Sequence, residues 1–129
     1  VLTRLLSTDD DPNVRAEAAN ALASYGVERA WPLLRESFAK DGAWLVRCSI
    51  LSALAEQPDI NPAWLLDLGR EAIADADGTV RVSGAEILAR VVREQTGDAD
   101  GSEARALLQP LQQDADHRVV AAALNGLQP

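Results

Sequence analysis

Four stretches of the chain repeat one order of apolar and polar positions. DDDPNVRAEAANAL, DGAWLVRCSILSAL, DADGTVRVSGAEIL and DADHRVVAAALNGL align on Val14, Val46, Val80 and Val119. A leucine stands eight residues after each valine (Leu22, Leu54, Leu88, Leu127) and another twelve before it (Leu2, Leu34, Leu68, Leu107). An aspartate stands five before (Asp9, Asp41, Asp75, Asp114), and an arginine follows the first three valines (Arg15, Arg47, Arg81). The fourth copy has Val120 in the arginine column, with Arg118 displaced. The copies are spaced by 32, 34 and 39 residues. Internal similarity at such a period marks a repeat architecture.

Each copy reads as two helices. In the second, apolar residues fall at 0, +4, +7 and +8 from the valine, as at Val14, Ala18, Ala21 and Leu22, which is one stripe of a 3.6-residue period. Asp11, Asp77 and Asp116, three before their valines, are placed to cap free N–H groups, and Pro12 suits a first helical position. The first helix carries the earlier leucine and, four residues on, Leu6, Phe38, Ala72 or Leu111. Gly26 reads as a helix stop, and Pro58, Asn61 and Pro62 mark the next break. The stretch from Thr96 and Gly97 to Ser102 marks the third break and explains the 39-residue spacing. The pattern predicts helices over 1–7, 12–25, 28–40, 44–56, 62–75, 79–95, 102–113 and 117–128, with the chain closing at Pro129. No apolar/polar alternation of strand length is present. A helical pair with one greasy face is stable only when stacked, so the expected fold is an all-α superhelix, a solenoid of about four pairs, forming one domain over 1–129.

The pattern Asp…Asp-x-x-Val-Arg-x-x-Ala-x-x-Ala-Leu resembles HEAT repeats, and its short spacing resembles the bacterial HEAT-like subtype found in phycobilisome lyases. The resemblance implies ladders of hydrogen bonds between successive repeats through Asp9, Asp41, Asp75 and Asp114 and through Arg15, Arg47 and Arg81, with the last rung lost at Val120. It also implies a protein that holds other proteins or, in the lyase branch, presents a bilin to a phycobiliprotein. Such a fold specifies architecture more closely than function.

Composition narrows the function classes. Charged residues make up 25% of the 129 and apolar ones 47%, the balance of a globular domain. No apolar run approaches a membrane span, and nothing at the N-terminus reads as a signal peptide, so a cytoplasmic location is expected. The net charge of −8 disfavours nucleic acid and anionic membrane as partners. One cysteine excludes an internal disulfide framework, and one cysteine with one histidine argues against a zinc site, which wants about four N/S ligands. The absence of methionine points to a piece of a longer protein. Eleven of the twelve basic residues are arginine, which either its planar fork or a genomic GC bias explains.

Candidate chemistry is sparse. Asp75, Asp77 and Glu86 sit at positions 1, 3 and 12 of a calcium-loop spacing, but Val80 stands where that loop needs glycine, and the Asp-x-Asp spacing recurs at each repeat turn. The acidic stretch 97–102 reads as a solvated turn with Ser102 capping the next helix. Cys48 beside Arg47 reads as a packed thiol, and His117 as an exposed turn residue. No catalytic constellation can be built, so no enzymatic activity, cofactor or metal is expected.

An interaction face follows from the register. Positions +3, +6 and +10 of the second helices lie off the core stripe and should line the concave side: Glu17, Asn20 and Ser24, then Ser49, Ser52 and Glu56, then Ser83, Glu86 and Arg90, then Ala122 and Asn125. The set is small, polar and mildly acidic, as a solvated face also is. Trp31 and Trp64 read as packing residues of first helices. Trp44 falls in a column otherwise filled by Pro12, Gly78 and His117, and is a candidate ridge anchor. The expected activity is non-catalytic binding of a basic or polar protein segment by a monomeric domain. A lyase-like role would instead need a pocket for a tetrapyrrole and basic groups for its propionates.

Overall fold

The computed structural model describes residues 1–128; Pro129, where the sequence closes the last pair, lies outside them. Seven α-helices and one 3-10 helix follow in order: α1 (Leu2–Thr8), α2 (Pro12–Lys40), α3 (Trp44–Ala55), α4 (Pro62–Ala72), α5 (Gly78–Glu94), α6 (Ala99–Leu108), the 3-10 helix Gln109–Gln113, and α7 (His117–Leu127). The chain forms two compact units, Val1–Ile60 and Asn61–Pro129. The first unit packs α2 against α1 and α3, and the second packs α5 against α4, α6 and α7.

The sequence-predicted helices are present, with boundary changes that have physical causes. The two helices expected over 12–25 and 28–40 lie within the span of α2 and are divided at Gly26, whose φ of 156° and ψ of 93° are non-helical, at the stop expected there. A Cβ at Gly26 would meet nothing within 4 Å, so backbone conformation and not space demands glycine there. Gly26→Ala is expected to cost about 1–2 kcal/mol in urea denaturation, although it removes no contact. The helix expected over 102–113 starts earlier and ends as a 3-10 turn, where Pro110 lacks the N–H that α-helix would use.

That early start corrects the role expected of Ser102. Asp98 is the N-cap residue of α6, and Ser102 lies inside the helix, its N–H donating to the Asp98 carbonyl at 3.1 Å. The cause is a close approach: Gly101 is buried, and a Cβ there would collide with the Gln95 backbone carbonyl. Glycine therefore lets the first turn of α6 lie against the end of α5.

The aspartate columns build the repeat turns. The carboxylates of Asp9, Asp41, Asp75 and Asp114 each accept the backbone N–H two residues on, at 2.8–2.9 Å. Asp11, Asp77 and Asp116 then cap the following helices by accepting the N–H groups of Asn13, Thr79 and Arg118. The column holding Pro12, Trp44, Gly78 and His117 is the first residue of each second helix.

Within each unit the arginine column closes the turn. Arg15 donates to the Asp9 carbonyl at 2.8 Å and grips the Asp41 carboxylate through Nε and Nη2 at 2.9 and 3.2 Å. Arg81 repeats the arrangement, with the Asp75 carbonyl at 2.9 Å and the Asp114 carboxylate at 3.0 and 3.2 Å. Arg47 donates to the Asp41 carbonyl at 2.9 Å. In the fourth copy Val120 leaves no such donor, and Arg118 turns to the Asp116 carboxylate at 2.8 Å and the Thr79 hydroxyl at 3.3 Å.

The core sits on the predicted stripes. Val46, Val80 and Val119 are fully buried, as are Leu34, Leu54, Leu68 and Leu88. Val14 and Leu22, in the first copy, and Leu127, in the last, are half-buried.

Candidate functional site

In the first unit the proposed face forms a hollow of about 340 Å³ between the first half of α2 and α3. Asn20 and Ser24 line it from α2, one helical turn apart, Ser49 and Ser52 line it from α3, and Glu56, the C-cap residue of α3, completes the same register. The register produces this directly. The core takes Ala18 and Ala19 from one helix and Ile50, Leu51 and Leu54 from the other, so the intervening turns present short polar side chains. Cys48 and Gln57, which the register did not select, also line the hollow, and Gln57 donates to the Ala53 carbonyl at 3.5 Å. Glu56 is the single charged group of the lining, is exposed, and makes no ion pair among the described residues. The local potential is therefore negative, with hydroxyl and amide groups around it. No nucleophile–base pair is assembled there.

The remaining candidates lie elsewhere. Glu17 is exposed on α2 but does not line the hollow. Trp44 opens α3 and is 49% exposed. At about 1.5 Å rise per residue it lies roughly 18 Å along α3 from Glu56. Tyr25, which falls outside the +3, +6 and +10 register, is 83% exposed and adjoins Ser24 at the kink of α2. In the second unit Glu86 is exposed on α5, whereas the Arg90 side chain is only 12% exposed and its Nε donates to the Glu94 carboxylate at 3.1 Å. Asn125 lines a separate hollow with the end of α5 and the start of α6. Ser83 and Ala122 are half-buried. Trp31 and Trp64 are half-buried, as packing residues of first helices should be.

Among the described residues no helix is long and apolar enough to cross a membrane. A search of curated proteins finds no match to the chain. The family model described as HEAT repeats matches residues 1–55, which contain the hollow's α2 and most of its α3 lining, and with seven α-helices and no strand among the described residues the fold is all-α and HEAT-like.

Proposed function

We propose that the chain is a non-catalytic interaction module whose first unit holds a polar or basic protein segment in the hollow between α2 and α3. HEAT repeats commonly serve as protein-interaction scaffolds, and the match over residues 1–55 takes in most of this unit, ending just before Glu56. The observation that carries the reading is the lining itself: Asn20, Ser24, Ser49 and Ser52 around one unpaired carboxylate, Glu56. Small hydroxyl and amide groups complement a backbone or a polar side chain, and the single negative charge favours a cationic one. The bilin-handling alternative needs cationic partners for propionates, and this hollow's lining includes none.

The test is a pull-down with the whole chain followed by binding kinetics. The double change Glu17→Gln and Glu56→Gln is expected to slow association several-fold at low salt and to leave thermal stability unchanged, because both side chains are exposed. The matched control changes Glu28 and Glu36, which are exposed on the second half of α2. Loss of binding in the control and not in the Glu17/Glu56 variant would place the partner on the second half of α2 and away from the hollow.

A further inference from the structure

The second unit contains a different kind of hollow. Its origin is the expanded third spacing, 39 residues against 32 and 34. The added length goes into α5, which runs six residues past its core leucine Leu88 to Glu94 while α3 stops one residue past Leu54 at Ala55, and into the turn before α6. Insertions in repeat proteins surface as loops, often on a binding face. Here they enclose a space of about 520 Å³ between the end of α5, the start of α6 and the end of α7.

The lining is rich in hydrogen-bond donors. Arg93, from the last turn of α5, makes no side-chain hydrogen bond or ion pair among the described residues. Arg105, from α6, uses Nη2 to hold the Leu127 carbonyl at 2.9 Å, and its other N–H groups have no protein acceptor among the described residues. Ser102 and Asn125 add a hydroxyl and an amide. No carboxylate lines the space. The nearby Glu94 is engaged by Arg90, and Asp98 and Asp100, which adjoin Gly97 and Gly101 in sequence, are not among the lining residues. In a chain of net charge −8, a space whose wall holds two exposed arginines and no acidic residue is the reverse of the overall balance.

We propose that this hollow binds a phosphomonoester. Two guanidinium groups with two neutral donors suit a tetrahedral dianion with three terminal oxygens. A carboxylate, with one charge and two oxygens, is satisfied by a single arginine. The space is larger than a phosphate group requires and so accommodates the carbon skeleton that carries the ester. The site is independent of the polar hollow in the first unit.

The experiment is an amide-resolved NMR titration of the whole chain with two probes, a capped Ala-phosphoserine-Ala tripeptide and glucose 6-phosphate, and with succinate as a dicarboxylate control. Binding of either phosphate probe, seen as shifts confined to the amides of residues 93–105 and 125–128, supports the site. The tighter probe names the source as a phosphorylated protein side chain or a small metabolite. Arg93→Ala is expected to weaken the phosphate probes by about tenfold or more. It should leave the melting temperature unchanged, since the side chain bonds nothing in the fold. Arg105→Ala should also weaken binding, but it removes the bond to Leu127, so Arg93 is the deciding variant. Glu56→Gln should bind the phosphate probes as the parent does. The proposal is overturned if neither phosphate probe shifts these amides, if succinate shifts them equally, or if Arg93→Ala binds unchanged.

Discussion

Leu88→Ala is expected to lower stability by about 2–5 kcal/mol in urea denaturation, the range for a fully buried leucine whose site cannot collapse. Leu88 is completely buried on α5, and α4 faces it with Gly69, where a Cβ would come within 2.6 Å of Leu88 Cδ2. Two helices that already approach over a glycine have little room to close a cavity. Leu124→Ala, at a position 45% exposed on α7, should cost under about 0.5 kcal/mol. The same geometry sets a sharper expectation. Gly69→Ala alone should destabilise, because its methyl group overlaps the Leu88 side chain. In the Leu88→Ala background the methyl group enters vacated space and gains about 1 kcal/mol of helix propensity, so it should stabilise. A reversal of sign across this double-mutant cycle, with a coupling of about 1–3 kcal/mol, is the result that packing dictates. Additive costs would mean that α4 and α5 do not meet through this pair.

The repeat register was legible because it rests on periodicity and on local hydrogen bonding. Val46, Val80 and Val119 fill the core, and Asp11, Asp77 and Asp116 cap helices through bonds spanning two or three residues. The ladder was implied by resemblance, and its rungs are present within each unit at Arg15–Asp41 and Arg81–Asp114. The polar hollow followed from the register for Asn20, Ser24, Ser49, Ser52 and Glu56, since a face left over by a core stripe is a local property. Arg90 shows where that logic stops: it shares a column with Ser24 and Glu56, but its long stem lies back toward Glu94. Ser102 was misplaced because the start of α6 depends on the contact of Gly101 with the Gln95 carbonyl, a tertiary fact. The arginine-lined hollow had one visible signal, the long third spacing, but the pairing of Arg93 with Arg105 depends on how α6 returns. The close approaches at Gly69 and Gly84 had none stronger than the small Ala72 opposite Gly84.

Asp114→Ala is expected to cost about 2–4 kcal/mol, well above an ordinary surface substitution. The carboxylate is 12% exposed and accepts three bonds, from the Asp116 N–H and from two nitrogens of Arg81, itself 19% exposed. Its loss leaves a half-buried guanidinium holding only the Asp75 and Ala76 carbonyls, and a turn without its bridging acceptor. Asp98→Ala, which removes no cap bond, should cost under about 0.5 kcal/mol. Charge gives the second readout. The Asp116 N–H and, after it, the Arg81 guanidinium hold the Asp114 carboxyl below the usual range against the opposing effect of burial. Asp116 is held at about 2, chiefly by the Arg118 side chain. A carboxyl whose folded value lies below its unfolded value of about 3.9 contributes stability that is complete above that unfolded value and is lost as pH falls through the folded one. Unfolding free energy should therefore be flat above about pH 5 and fall between about pH 4 and 2. Asp114→Asn keeps the acceptor for the Asp116 N–H and removes the titration, so it should be less stable than the parent at pH 7 and show a shallower fall on acidification. Parallel acid profiles for parent and variant would show that the Arg81 rung carries no charge-dependent stability.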